Sequence, residues 1–217
     1  MVHSVLIADD HRILLGGLKT LIDADPDFEV VATATDGAEA LESIRSIEPA
    51  LAILDLNMPT RSGLEVLIDA TNLGLRTHVV MLAASATDDD IHRIVRAGAK
   101  GLVFKESAPE LLLQCLQRVI GGGTWYSDDI RTIVSNQDEE KRIWRERFSS
   151  LTDREIEVIR LVNSGHSNKE IAYELQLVGG TVKVHLNNIF RKLQVSTRVE
   201  LTARTRGHLK SRIGHLQ

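Results

Sequence analysis

The chain has 217 residues, of which 43% are hydrophobic and 26% charged, with a formal net charge of −4. That length suits one large domain or two small ones, each able to bury a core, and the composition is that of a soluble globular protein. No apolar run approaches the ~20 residues of a membrane span, the opening Met1-Val-His-Ser lacks a signal-peptide pattern, and a single cysteine, Cys115, excludes an intramolecular disulfide framework. Eight histidines scattered without metal-site spacing argue against a structural zinc, and the expected compartment is the cytoplasm. The charge is unevenly spread, at −8 over residues 1–120, −1 over 121–150 and +5 over 151–217. An acidic front and a basic back predict two parts with different partners, the basic one suited to nucleic acid. The competing reading is a merely solvated basic face.

In chain order, Val5-Leu-Ile-Ala8 is a short apolar run, hence a first strand, ending in Asp9-Asp10. A helix follows with Ile13, Leu14, Leu18, Leu21 and Ile22 on one stripe, and Gly16-Gly17 inside it hint at close backbone approach. Phe28 to Ala32 reads as strand two, and Asp36 with Glu39 opens the next helix in a capping-box-like arrangement. Leu51-Ala-Ile-Leu54 runs straight into Asp55, with Pro59 stiffening the exit loop. An unalternating apolar run of this length fits a strand buried on both faces, as in a parallel sheet. Asp55 then sits at its carboxyl end, either as a functional carboxylate or as a loop residue capping the next helix. A helix after Gly63 carries Leu64, Leu67 and Ile68; Val79 to Leu82 is strand four; Asp88 to Ala97 is a helix ended by Gly98. Gly101 to Phe104 is strand five, closed by Lys105, and Ser107 with Glu110 caps a helix running to Gly121. Strands alternating with helices predict an α/β doubly wound five-stranded parallel sheet.

In such a sheet Asp9, Asp10, Asp55 and Lys105 all project from one edge. Three crowded carboxylates need a counter-charge, and Mg²⁺, with its preference for hard oxygen ligands, is the natural one. A nucleophilic carboxylate, a metal to draw charge from phosphoryl oxygens and an ammonium to hold them suit an aspartate that becomes phosphorylated. On these residues, and on Asp-Leu-Asn-Met-Pro followed by Gly63, residues 1–120 resemble the receiver domain of two-component response regulators. The resemblance implies the CheY-like fold with strand order 2-1-3-4-5. It implies Asp55 as phosphoacceptor, Asp9 and Asp10 as metal-binding acids, Lys105 as the phosphate-contacting lysine, and a further Mg²⁺ oxygen from the main-chain carbonyl of Asn57. Two positions depart from the family. Ala83 stands where receivers end strand four with Ser or Thr, and Leu102 where strand five usually carries Tyr or Phe. The paired switch is absent as written, with Ser85 as a candidate substitute hydroxyl.

Residues 121–150 read as a linker, partly helical. Gly121-Gly-Gly123 forms a C-cap and hinge, Trp125 and Tyr126 anchor the segment on the front domain, and Asn136 to Arg147 forms a helix. From Leu151 the signals change: Thr152-x-x-Glu155, Ser167-x-x-Glu170 and Thr197-x-x-Glu200 each open an apolar helical pattern. With Thr181 to Leu193 they predict four short helices, the pair Asn168–Leu175 and Thr181–Leu193 forming a helix-turn-helix. In its second helix Val182, Leu186, Ile189 and Leu193 face inward, while Lys183, Val184, Asn187 and Arg191 face outward. Val184 could meet a thymine methyl, Asn187 an adenine edge, and Lys183 and Arg191 guanine or phosphate.

Leu-Thr-Asp-Arg-Glu-Ile-Glu-Val-Ile, Gly-His-Ser-Asn-Lys-Glu-Ile-Ala, Thr-Val-Lys-Val-His and Lys-Leu-x-Val make residues 151–217 resemble the LuxR-type helix-turn-helix. That resemblance adds Asn168, Lys169 and Thr181 to the DNA-binding set. Val178-Gly179-Gly180 departs from it and removes a side-chain cap from the recognition helix. Together the halves resemble response regulators of the NarL/FixJ class. The resemblance implies phosphorylation by a sensor histidine kinase, promoter binding as a homodimer through the last helix (about Thr197 to Arg206), and a receiver docked over the recognition helix until phosphorylated. A second reading is a phosphate sink or phosphorylation-independent interaction module with weak DNA binding. A third, a metal-dependent phosphohydrolase, lacks any sign of a substrate pocket.

Overall fold

The structure, a computed structural model, describes residues 2–178 and 180–206. Gly179 and the stretch of the basic segment beyond residue 206 therefore lie outside the described residues. Two compact units divide the chain, residues 1–137 and 138–217.

The first unit alternates strand and helix: β1 (His3–Ala8), α1 (Arg12–Asp23), β2 (Phe28–Ala34), α2 (Gly37–Ile47), β3 (Leu51–Asp55), α3 (Gly63–Asn72), β4 (His78–Ala83), α4 (Asp88–Arg96), β5 (Gly101–Phe104) and α5 (Ala108–Ile120). All the strand pairs are parallel, in the order β2-β1-β3-β4-β5. The doubly wound expectation is met. Residues of β1 and β3 divide between two cores because successive side chains point to opposite faces. Leu6, Ala8, Ala52 and Leu54 pack with Ala40, Ile44, Leu64, Leu67, Ile91 and Ile94 of α2, α3 and α4. Val5, Ile7, Leu51 and Ile53 pack with Leu15, Leu18, Ile22, Leu112 and Leu116 of α1 and α5. Each buried Val, Leu or Ile contributes about 1.5–3 kcal/mol, which is why β1 from Val5 to Ala8 and β3 from Leu51 to Leu54 are apolar.

Several local expectations change. Ile13 is 94% exposed, because α1 turns Leu15, Leu18 and Ile22 inward and a residue two positions before Leu15 faces the other way. Gly16 and Gly17 meet nothing within 4 Å of a built Cβ, so no close approach explains them. Ser107 makes no side-chain cap, since a 3₁₀ turn over Lys105–Ser107 runs directly into α5. Asp36 caps α2 as expected, but Glu39 reaches back to the Thr35 amide, one residue beyond a closed box. Full capping boxes appear at Ser62/Glu65 and Thr87/Asp90 instead.

After α5 the chain reverses through Gly122, at φ 83°. Trp125 then pairs beside Gly101: its amide donates to the Lys100 carbonyl (2.8 Å), and its carbonyl accepts from the Leu102 amide (3.1 Å). The Tyr126 hydroxyl donates to the Ala99 carbonyl. Helix α6 (Asp128–Ser149) begins eight residues before the expected Asn136, because Ile130, Ile133 and Val134 pack into the first unit's core. Its last turns carry Trp144 and Phe148 in the core of the second unit.

The second unit continues with α7 (Asp153–Asn163), α8 (Asn168–Glu174), α9 (Thr181–Leu193) and α10 (Arg198–Thr205). The boxes at Thr152/Glu155 and Ser167/Glu170 close. Thr197 caps α10, while Glu200 accepts instead from the Ser196 amide at 2.9 Å. Val182, Leu186, Ile189 and Leu193 of α9 are buried with Ile156, Ile159, Val162, Ile171 and Leu201. Within this unit Glu155, 4% exposed, accepts from Lys192 Nζ at 2.7 Å and from the Thr152 amide at 2.8 Å. Burial pushes the Glu155 carboxyl up, but these bonds outweigh it and its pKa is lowered. Its contribution to stability is therefore present above the ordinary glutamate range and is lost as pH falls through the depressed value. Glu155→Ala, which removes the ion pair with Lys192 and the Thr152 capping bonds, is expected to cost the second unit about 2 kcal/mol in denaturant unfolding at neutral pH. The wild-type advantage should shrink steadily as the same unfolding is repeated toward pH 3.

Candidate functional site

The carboxyl edge of the sheet gathers the residues expected there. β1 hands over to Asp9 and β3 ends on Asp55, both almost wholly buried (0% and 2% exposed). Lys105 opens the turn after β5, and its Nζ lies 2.7 Å from Asp9 Oδ2 and 3.0 Å from Asp55 Oδ1. Asp10, exposed at the rim, offers an oxygen to the same cluster, in which Asp9, Asp10, His11 and Asp55 each have a ligand atom within 4.8 Å of the others'. Burial pushes the Asp55 carboxyl above the usual aspartate range; the Lys105 contact pulls it down, and the charges of Asp9 and Asp10 push it further up. Burial also works against the Lys105 ammonium, yet its bonds to Asp9 and Asp55 leave its pKa raised.

The loops around the edge are tightly packed. Pro59 O accepts from the Gly37 and Arg61 amides, and Thr60 between them has φ 66°, a left-handed value uncommon outside glycine. At Gly63 a Cβ would lie 2.2 Å from the Asp55 carbonyl oxygen, so only glycine lets α3 start this close to Asp55. Asn57 lies exposed in this loop.

His11 was not anticipated. Its amide donates to Asp9 Oδ1 (2.9 Å), and its ring Nδ1 lies 3.1 Å from Asp9 Oδ1 and 2.7 Å from Asp10 Oδ1. Its position directly after Asp9-Asp10 was the available signal. Ala83 ends β4 fully buried, Leu102 is buried on β5, and Ser85 is exposed two residues past Ala83.

The donor set fits Mg²⁺: three carboxylates offer hard oxygens within reach of one ion, with Asp10 open to solvent for the waters such an ion keeps.

On the second unit, Lys183, Val184, Asn187 and Arg191 are all exposed on the face of α9 opposite its buried stripe, with Val184 57% exposed. Lys169 is exposed on α8, and Thr181 is half-buried at the start of α9. Asn168 is engaged within the unit, its Oδ1 accepting from Arg198 Nη1 at 3.1 Å. Gly180 supplies no side-chain cap to α9. The apolar Val199 of α10 is 80% exposed.

Residues 5–117 match the family model of the response regulator receiver domain, and residues 149–205 match that of the bacterial regulatory proteins of the luxR family. The chain belongs to the two-component response regulators that join a receiver to a LuxR-type DNA-binding domain. Among its relatives is the nitrate/nitrite response regulator protein NarP of Escherichia coli, 36% identical over 91% of this chain and 92% of that one. The transcriptional regulatory protein DesR of Bacillus subtilis is 32% identical over 94% and 96%. Among solved structures, RcsB of Salmonella typhimurium shares the fold at TM-score 0.63 and 21% identity, over 93% of this chain and 98% of that one. A LuxR-family response regulator of Aurantimonas sp. SI85-9A1 gives TM-score 0.58 at 26% identity, over 64% and 99%. The protein is thus a response regulator transcription factor, not a conventional enzyme. Among the described residues no helix is long and apolar enough to cross a membrane.

Lys105→Met removes the contact that lowers the Asp55 pKa. The Asp55 carboxyl is expected to titrate at a still higher pH in that variant, read from its ¹³C carboxyl shift. An unchanged or lower titration point would contradict the electrostatics given above.

Proposed function

We propose that Asp55 receives a phosphoryl group from a sensor histidine kinase, and that the protein acts in the cytoplasm on promoter DNA as a homodimer. The observation that carries this reading is the Lys105 ammonium bridging Asp9 (2.7 Å) and Asp55 (3.0 Å) at the carboxyl edge. A carboxylate oxygen of Asp55 forms the new bond to phosphorus while the P–N bond of the donor phosphohistidine breaks. The imidazole leaves with that electron pair and takes a proton from solvent. Lys105, already within 3.0 Å of Asp55 Oδ1, turns its positive charge to the incoming phosphoryl oxygens. Asp9, Asp10, Asp55 and the main-chain carbonyl of Asn57 would hold Mg²⁺, which would supply further positive charge to those oxygens. The burial of Asp9 and Asp55 keeps water from competing for these charges.

On the output side, Lys183, Val184, Asn187 and Arg191, with Lys169 and Thr181, meet DNA, and Val199 on α10 supplies an apolar contact between protomers. The proposed departure from the family lies in the switch. Ala83 has no hydroxyl to turn toward a phosphoryl group, and Leu102 has no aromatic ring to follow it. Acyl-phosphate chemistry survives in this reading, while its transmission to the face formed by α4, β5 and α5 is weakened or rerouted.

Acetyl phosphate with Mg²⁺ is expected to add one phosphoryl mass to the wild type and none to Asp55→Ala, read by intact mass spectrometry. Lys183→Ala or Arg191→Ala should lower promoter affinity and reduce the slope of log K against log salt by about one. Equal promoter output from Asp55→Ala and from phosphodonor-treated wild type would favour the phosphorylation-independent alternative, for which the buried Ala83 is the supporting observation.

A further inference from the structure

The amino-terminal edge of the sheet, opposite the acidic rim, carries a cavity of about 660 Å³. It opens where the α3–β4 loop meets the α4–β5 turn, at the starts of β4 and β5. Its volume lies within the roughly 300–1,000 Å³ of small-molecule sites. Leu67 and Val79, both buried core residues, give it an apolar floor. Its polar lining is of one kind: Arg76, His78 and Lys100, with the hydroxyls of Thr71 and Thr77 and, among the described residues, no carboxylate. Among the described residues neither Arg76 nor Lys100 has an ion-pair partner. Thr77 Oγ1 is buried without a hydrogen-bond partner, whereas Thr71 Oγ1 donates to the Ala97 carbonyl at 3.1 Å.

Each feature asks for the same occupant. Two unpaired cations at one mouth in a unit whose first 120 residues carry −8 are placed against the prevailing charge of that unit. An apolar floor beneath that polar set favours a ligand with a small apolar body behind its charged group.

We propose that this cavity is a binding site for a small organic anion, a carboxylate or a phosphate monoester. Its charged group pairs with Arg76 and Lys100, while its apolar body rests on Leu67 and Val79. The site is separate from the phosphorylation rim. β4 runs from one to the other over six residues, about 20 Å, so the ligand does not compete with the phosphoryl group.

The test is an NMR titration of the full-length ¹⁵N-labelled protein, without Mg²⁺, using phenyl phosphate, benzoate and benzyl alcohol as probes at constant ionic strength. Saturable shifts at the amides of residues 74–79 and 98–100 are expected with one or both anions and not with benzyl alcohol; the tighter anion identifies the charged group. Arg76→Gln with Lys100→Gln should weaken that binding tenfold or more, while the shifts anions cause along α9 stay as in the wild type. Unchanged wild-type spectra elsewhere in the variant establish that it folds. No saturable shift at the cavity, an equal response to benzyl alcohol, or undiminished binding in the double variant overturns the proposal.

Discussion

Two aspartates with almost no exposure share one sheet edge, and a single ammonium lies between them. Without Lys105 the Asp55 carboxylate would lose the contact that offsets its burial, and its ionised form would be further disfavoured. The whole first unit is arranged to make that triangle possible. Parallel strands bring the ends of β1, β3 and β5 to the same edge, and helices on both faces seal the sheet beneath it. The glycine at 63 lets the chain return within contact of Asp55 itself. A charge constellation of this kind is costly in a folded protein.

The second unit solves a different problem, that of holding one helix with a bare polar face. α9 buries four apolar residues and leaves the opposite face exposed, with a valine among its polar side chains. The buried Glu155–Lys192 pair ties α9 to the start of α7, and the Arg198–Asn168 bond ties α10 to the start of α8. These bonds orient the helix pair without using the face that is left open. α6 contributes to each unit in turn, through Ile130 and its neighbours to one core and through Trp144 and Phe148 to the other.

Leu102 on β5 belongs to a core cluster that also takes in Tyr126 and Ile130 from the segment after α5. Trp125 extends the edge of β5 through two backbone hydrogen bonds. The residues that follow α5 are thereby part of the packing around β5 rather than a tether leaving it.

The apolar runs and the acids that end them were legible in the sequence because a parallel strand buried on both faces tolerates no polar residue until it leaves the sheet. That rule alone put Asp9, Asp10, Asp55 and Lys105 on one edge, and helical spacing alone separated the buried and open faces of α9. Ile13, the pair Gly16-Gly17, the unformed cap at Ser107 and the early start of α6 escaped it, since helix phase and helix ends are decided by what each segment packs against. His11 beside the aspartates, the engagement of Asn168 by Arg198 and the buried Glu155–Lys192 pair were decided by tertiary structure only. Each joins side chains through space at distances that pattern and spacing along a chain do not encode.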